Sequence, residues 1–209
     1  MSAFARATGA DRGFDFTGQM RRLCEDIVGR LPELVHVRMS EVAVAFSQTR
    51  KSCSHGLQAS LTPMRFADGS LHTTRRRRRW TVQRLFDSAG REMLYILRFY
   101  LPRFLELELQ EKLTTIFHEL WHISPRFDGD LRRFEGRCYA HSHSQEDFDA
   151  HAEQLSQRWL ALRPPGELYD FLRLDFQQLQ QAHGRIFGTR IAVPKLIPAD
   201  EARQDIAAA

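Results

Sequence analysis

Between residues 103 and 124 there is neither Gly nor Pro, and Leu109, Leu113, Ile116 and Leu120 recur at spacings of four, three and four. That is the period of one apolar face of an α-helix. The spacing predicts a helix over 106–123, ended by Pro125 and Gly129. Inside it stands His118-Glu119-Leu120-Trp121-His122. Residues four apart on a helix lie one above the other, and His118 falls about 200° around the axis from Ile116. The two imidazoles therefore face away from the apolar stripe. Stacked in this way they can reach one metal ion, zinc by chemistry and spacing, with the Glu119 carboxylate beside them as a general base.

A catalytic zinc usually takes three protein ligands and a water. The nearest source of a third ligand is the segment 137–143, Arg-Cys-Tyr-Ala-His-Ser-His, where His141 is the first choice and His143 the second. Asp128, Asp130 and Glu135 are chemically possible ligands, but Phe127-Asp128-Gly129-Asp130 reads equally well as a tight turn. In such a site the metal lowers the pKa of its water and polarises a carbonyl, while Glu119 carries the proton toward the leaving amine. Tyr139 or His143 could supply a second electrophile for the tetrahedral intermediate. His151 lies one position off an apolar stripe and reads as a surface or core-edge residue. His36, His55, His72 and His183 have no motif around them and read as structural.

The remaining composition bounds the setting. With 43% hydrophobic and 27% charged residues in 209, the chain is an ordinary globule with room for one domain and a sizeable core. Cys24, Cys53 and Cys138 are scattered, with no C-x-x-C pair, which suits free thiols in a reducing compartment better than a disulfide framework or a zinc ribbon. Residues 1–13 contain no apolar run of signal-peptide length, and no stretch approaches the ~20 apolar residues of a membrane span. A cytoplasmic protein with no membrane contact is expected. The net charge of +4 is mild, yet the basic residues are overwhelmingly Arg, with Lys51, Lys112 and Lys195 the only lysines. Arg75, Arg76, Arg77, Arg78 and Arg79 are consecutive and precede Trp80. This run reads as a solvated loop between two strands, with a nucleic-acid phosphate backbone or an acidic protein as its candidate partner.

The periodicities give an α+β chain. Thr17 caps a first helix ending at Gly29, with Met20, Leu23, Cys24, Ile27 and Val28 on its apolar face. Strands are expected at 41–48, around Val42, Val44 and Phe46, and at 56–66, around Leu57, Ala59 and Leu61. Residues 80–86 and 92–101, joined through Asp87-Ser88-Ala89-Gly90, read as a hairpin with Met93, Tyr95, Leu97 and Phe99 on one face. A second long helix starts at Ser144, with Asp147 completing a capping box, and carries the stripe Phe148, Ala152, Leu155, Trp159, Leu162 up to Pro164-Pro165-Gly166. A weaker helical pattern fills 167–183 before Gly184, and 190–197 is a short strand or an arm. The expected organisation is a disordered tail at 1–14, one domain at 15–163 and a C-terminal helical appendage at 164–209. A small mixed or antiparallel sheet would pack on the N-terminal helix and the His118 helix.

Glu33-Leu34, Arg50, Gly56-Leu57-Gln58-Ala59, Pro63-Met64-Arg65-Phe66, the H-E-L-x-H-I helix and Phe127-Asp128-Gly129-Asp130-Leu131-Arg132-Arg133 together resemble the putative phage metallopeptidase domain family. The resemblance spans residues 20–162 and implies a zincin-like fold and a zinc-dependent peptidase acting on a peptide or protein substrate. It implies His118 and His122 as ligands and Glu119 as the catalytic residue. Some relatives place a His soon after the Leu-Arg pair, where this chain has Phe134, so His141 remains a local reading. Two other functions fit the residues. One is a non-catalytic, zinc-stabilised interaction module that docks a partner through the arginine run. The other is a protease similar to SprT-like enzymes, acting on nucleic-acid-bound proteins. An intact Glu119 argues against the first, and the lack of a cysteine zinc ribbon against the second.

Overall fold

The computed structural model describes residues 13–49, 56–133, 145–200 and 206–207. The chain enters through a two-residue strand, β1 (Phe14–Asp15), directly into α1 (Phe16–Arg30). Asp15, not Thr17, caps this helix. Its carboxylate accepts from the Gly18 N–H at 2.9 Å, and the Thr17 hydroxyl instead accepts from the backbone of Thr189. The predicted face is buried as read, with Phe16 added to it.

Strands β2 (Val42–Gln48), β3 (Ala59–Pro63), β4 (Thr73–Arg75), β5 (Arg78–Val82), β6 (Leu85–Phe86) and β7 (Tyr95–Leu101) follow. The helix α2 (Leu109–Trp121) comes next, then α3 (Gln145–Ala161), α4 (Phe176–His183) and the short strands β8 (Ile186–Phe187), β9 (Leu196–Pro198) and β10 (Ile206–Ala207). The described residues form an α+β fold. Its central sheet has the order β2-β7-β3, with β7 parallel to β2 and antiparallel to β3.

The predicted 80–101 hairpin is confined to its tip. Asp87 and Arg91 close a tight turn, and Met93 bonds back to Leu85, but β7 then leaves to pair with β2 and β3, while β5 pairs with β4 and β9. Burial explains the choice. Tyr95, Leu97, Phe99 and Leu101 point into the main core, yet Ile96 and Arg98 on the opposite face are buried too. A strand covered on both faces belongs in the middle of a sheet, not in an outer hairpin. Met93 joins Ala43, Ala45, Met64, Leu85 and Ile96 in the smaller core on that second face.

The main core unites the inner faces of α1, α2, α3 and the sheet. Phe171, Leu172 and Leu179 also lie in it, so part of the segment expected as an appendage is built into the same core. Phe148, Ala152, Leu155 and Trp159 are buried along α3, whereas Leu162, expected to extend their stripe, is exposed just beyond the helix end. The arginine run is not a loop. Arg75 and Arg78 are paired across β4 and β5, and Arg76 and Arg77 form a two-residue turn with φ of 51° and 65°. Among the described residues, no helix is long and apolar enough to cross a membrane.

Candidate metal centre

Helix α2 begins with a capping box. Glu108 receives the Glu111 N–H while the Glu111 carboxylate takes the Glu108 N–H, so two of the first turn's free donors are met within the chain. Leu113, Ile116, Phe117 and Leu120 are fully buried and fix the rotation of the helix. The His118–His122 face then turns toward α3. The helix stops at His122 because the chain folds back: Arg132 N–H bonds to His122 O, and Tyr95 both donates to Asp130 O and accepts from Gly129 N–H. Gly129 is required in that turn. It has φ of +85°, and a Cβ there would lie 2.5 Å from the Arg65 side chain.

The two imidazoles converge. Nε2 of His122 lies 3.0 Å from Nε2 of His118. On the far side of His118, Nδ1 lies 2.6 Å from Oδ1 of Asp149 on α3. A carboxylate accepts only, so Nδ1 carries a proton, and in the neutral ring Nε2 then presents its lone pair toward His122. Tetrahedral ligands with zinc–nitrogen bonds of 2.0–2.1 Å stand about 3.3 Å apart, so the pair needs to open by only ~0.3 Å. The residues present fit a zinc ion on this count. Phe148 holds the pair in place. Its ring stacks on His122 with centroids 4.6 Å apart and meets His118 edge-on at 4.7 Å.

Glu119 is 8% exposed. Burial pushes its carboxyl up to about 7, opposed in part by a hydrogen bond from the Leu61 backbone N–H. That bond reveals the geometry of β3. Tyr100 N–H bonds to Gln58 O and Met64 N–H to Leu94 O, so the even-numbered residues of this stretch face β7. Ala59, Leu61 and Pro63 direct their backbone groups to the free edge, and Glu119 sits against that edge.

The two imidazoles are thus brought together, while Glu119, beside His118 on the same helix, has its carboxyl at the Leu61 backbone. Among the described residues no third His, Cys, Asp or Glu completes a metal-holding group with them. His141, His143, Tyr139 and Glu135 lie outside the described residues. Asp128 and Asp130 serve the turn instead. Asp130 accepts from the backbone of Asp68 and Leu131 and pairs with Arg133, while Asp128 accepts from Asp130 N–H and pairs with Arg126.

Sequence reasoning missed Asp149, Phe148 as an imidazole clamp, and Leu61. The α3 stripe places Phe148 on the buried side, but which neighbour that side meets is decided by tertiary packing. Beyond the centre, His151 is a core-edge residue. It packs on Trp121 at 4.4 Å, and the Arg132 guanidinium lies 3.6 Å over the same indole. Cys24 is buried in the core, and burial pushes its thiol up to about 12, so it is not a nucleophile.

Comparison with protein-family models, with curated proteins and with solved structures gives no match to this chain.

Proposed function

We propose that this chain is a zinc-dependent metallopeptidase of zincin-like fold, cytoplasmic, and of the phage metallopeptidase type that its motifs resemble. The observation that carries the reading is the convergence of the His118 and His122 Nε2 atoms at 3.0 Å, with Asp149 holding the His118 proton on the opposite nitrogen. A shared hydrogen bond between two neutral rings would not need a carboxylate behind one of them. A metal pair does, because the partner fixes the tautomer and raises ligand basicity.

Zinc, when bound, supplies Lewis acidity toward a water and a carbonyl. His118 and His122 would hold it, with His141 first and His143 second as the third ligand. Glu119 accepts a proton at a carboxylate whose pKa is already near working pH, and hands it to the leaving nitrogen. Phe148 keeps water from the back of the imidazoles. The free edge of β3 offers backbone groups to which an extended peptide can add as a strand, next to Glu119. A zinc-stabilised interaction module has no use for a carboxylate buried in that position.

The test is zinc content together with cleavage of a peptide library by the full chain, wild type against His118→Ala and His122→Ala. One zinc per wild-type chain, lost in both variants along with library cleavage, is expected. Full zinc content in His118→Ala would end the metal assignment. Zinc bound normally without any cleavage would favour the interaction module.

A further inference from the structure

The β4–β5 hairpin breaks two local rules at once. Arg75 and Arg78 face each other across the strands, and like charges directly opposite oppose strand pairing. Arg76 and Arg77 occupy a two-residue turn with both φ values positive, where Asn-Gly is the favoured pair. Residues 74–79 are all exposed, and the run carries five positive charges against +4 for the whole chain. Asp200 approaches Arg78 at 3.7 Å. Among the described residues, Arg75, Arg76, Arg77 and Arg79 make no ion pair with a carboxylate. A site where sequence works against its own local structure is where function is expected.

The base of the hairpin is firm. β5 is paired on its second edge with β9, Trp80 opposite Pro198 and Val82 opposite Leu196, and Arg78 lies over the Trp80 ring at 5.4 Å. The tip is therefore a two-stranded ribbon, anchored behind and charged in front. Arginine forks match phosphate oxygens bidentately. A two-stranded β-ribbon fits the major groove of B-form DNA, whereas the major groove of duplex RNA is too narrow for it.

From this geometry we infer that the Arg75–Arg78 hairpin is a binding element for duplex DNA, seated in the major groove with its arginines on the flanking phosphates. The inference stands apart from the peptidase reading and does not use the metal centre.

It is tested by fluorescence anisotropy of a labelled duplex of about 20 base pairs across a salt series, on the full chain. Replacing all five arginines with Ser should flatten the slope of log K against log salt by up to ~4.5, at ~0.9 per phosphate contact. A second variant, Arg76→Asn with Arg77→Gly, gives the turn its preferred residues while removing two charges. Its melting temperature should rise and its slope should fall by about 1.8, which separates lost charge from lost fold. An unchanged slope in both variants overturns the proposal. So does equal or tighter binding of a polyglutamate peptide, which would assign the hairpin to an acidic protein, or of duplex RNA, which would remove the groove.

Discussion

Oδ1 of Asp149 lies 2.6 Å from Nδ1 of His118, so a residue of one helix orients an imidazole on another and holds a proton on its Nδ1. The link fixes which nitrogen of His118 faces His122. Such partners of metal-binding histidines typically contribute 10–100-fold in affinity. Asp149→Ala should therefore weaken zinc binding by roughly that factor, measured by competition with a chelator. Asp149→Asn keeps an acceptor oxygen without the charge and should lose less. Equal affinity in wild type and Asp149→Ala would show that the contact does not orient the ligand.

Glu119→Gln separates chemistry from architecture. The amide keeps the side chain's shape but cannot take up a proton. Zinc content should be unchanged, while library cleavage should fall by ~10²–10⁴-fold, the usual loss for a general base. Cleavage at the wild-type rate would remove Glu119 from the mechanism.

How much of this was legible without coordinates follows the reach of each signal. The α2 stripe and the H-E-x-x-H spacing are local, and both are realised in one helix with the expected buried face. The same holds for β2 and for the buried face of α1. What failed was pairing. Residues 80–101 alternate as a hairpin should, but Ile96 and Arg98 are also buried, and only tertiary context shows that β7 takes β2 as a parallel partner. Asp149 was invisible for the same reason. Nothing in an isolated α3 distinguishes a carboxylate that meets His118 from the neighbouring acids Glu146 and Asp147. The arginine run looked like a loop because five like charges argue against a strand pair.

Phe148 couples packing to the site. It is 2% exposed and touches both imidazoles. Phe148→Ala should destabilise the protein by about 3–5 kcal/mol, as truncation of a buried aromatic does. Phe148→Leu retains most of the volume and should cost about 1 kcal/mol, yet still loosen the pair. Urea unfolding and zinc competition on the Leu variant make the comparison. A Leu variant with wild-type affinity would reduce Phe148 to core filling.

The last prediction concerns acid stability. The Nε2 atoms of His36 and His151 are buried with no hydrogen-bond partner. Burial is the main cause holding both rings below their ordinary pKa of 6.5, and the Arg132 charge adds to it. Backbone carbonyls of Ile123 and Glu33 oppose the shift at His36. At His151 the Glu33 carboxylate opposes it and Arg158 reinforces it. A base whose folded pKa is depressed stays neutral in the native state while the unfolded chain takes up protons below 6.5. The unfolded state then binds more protons, so stability rises with pH through this window and is lost as pH falls below 6.5. Glu33 acts in the same direction lower down. Arg158 holds its carboxyl below the usual range, so that contribution disappears only as pH falls further, below 4.5. Glu119, whose carboxyl burial raises to about 7, works the other way in this window, because the folded state takes up its proton before the unfolded chain does. The histidine contribution is therefore read as a difference: between pH 7.5 and 5.5 wild type should lose urea midpoint relative to a His36→Gln, His151→Gln double variant, in which Glu119 contributes equally. An identical pH slope in the double variant, or imidazole pKa values at or above 6.5 by NMR titration, would refute the assignment.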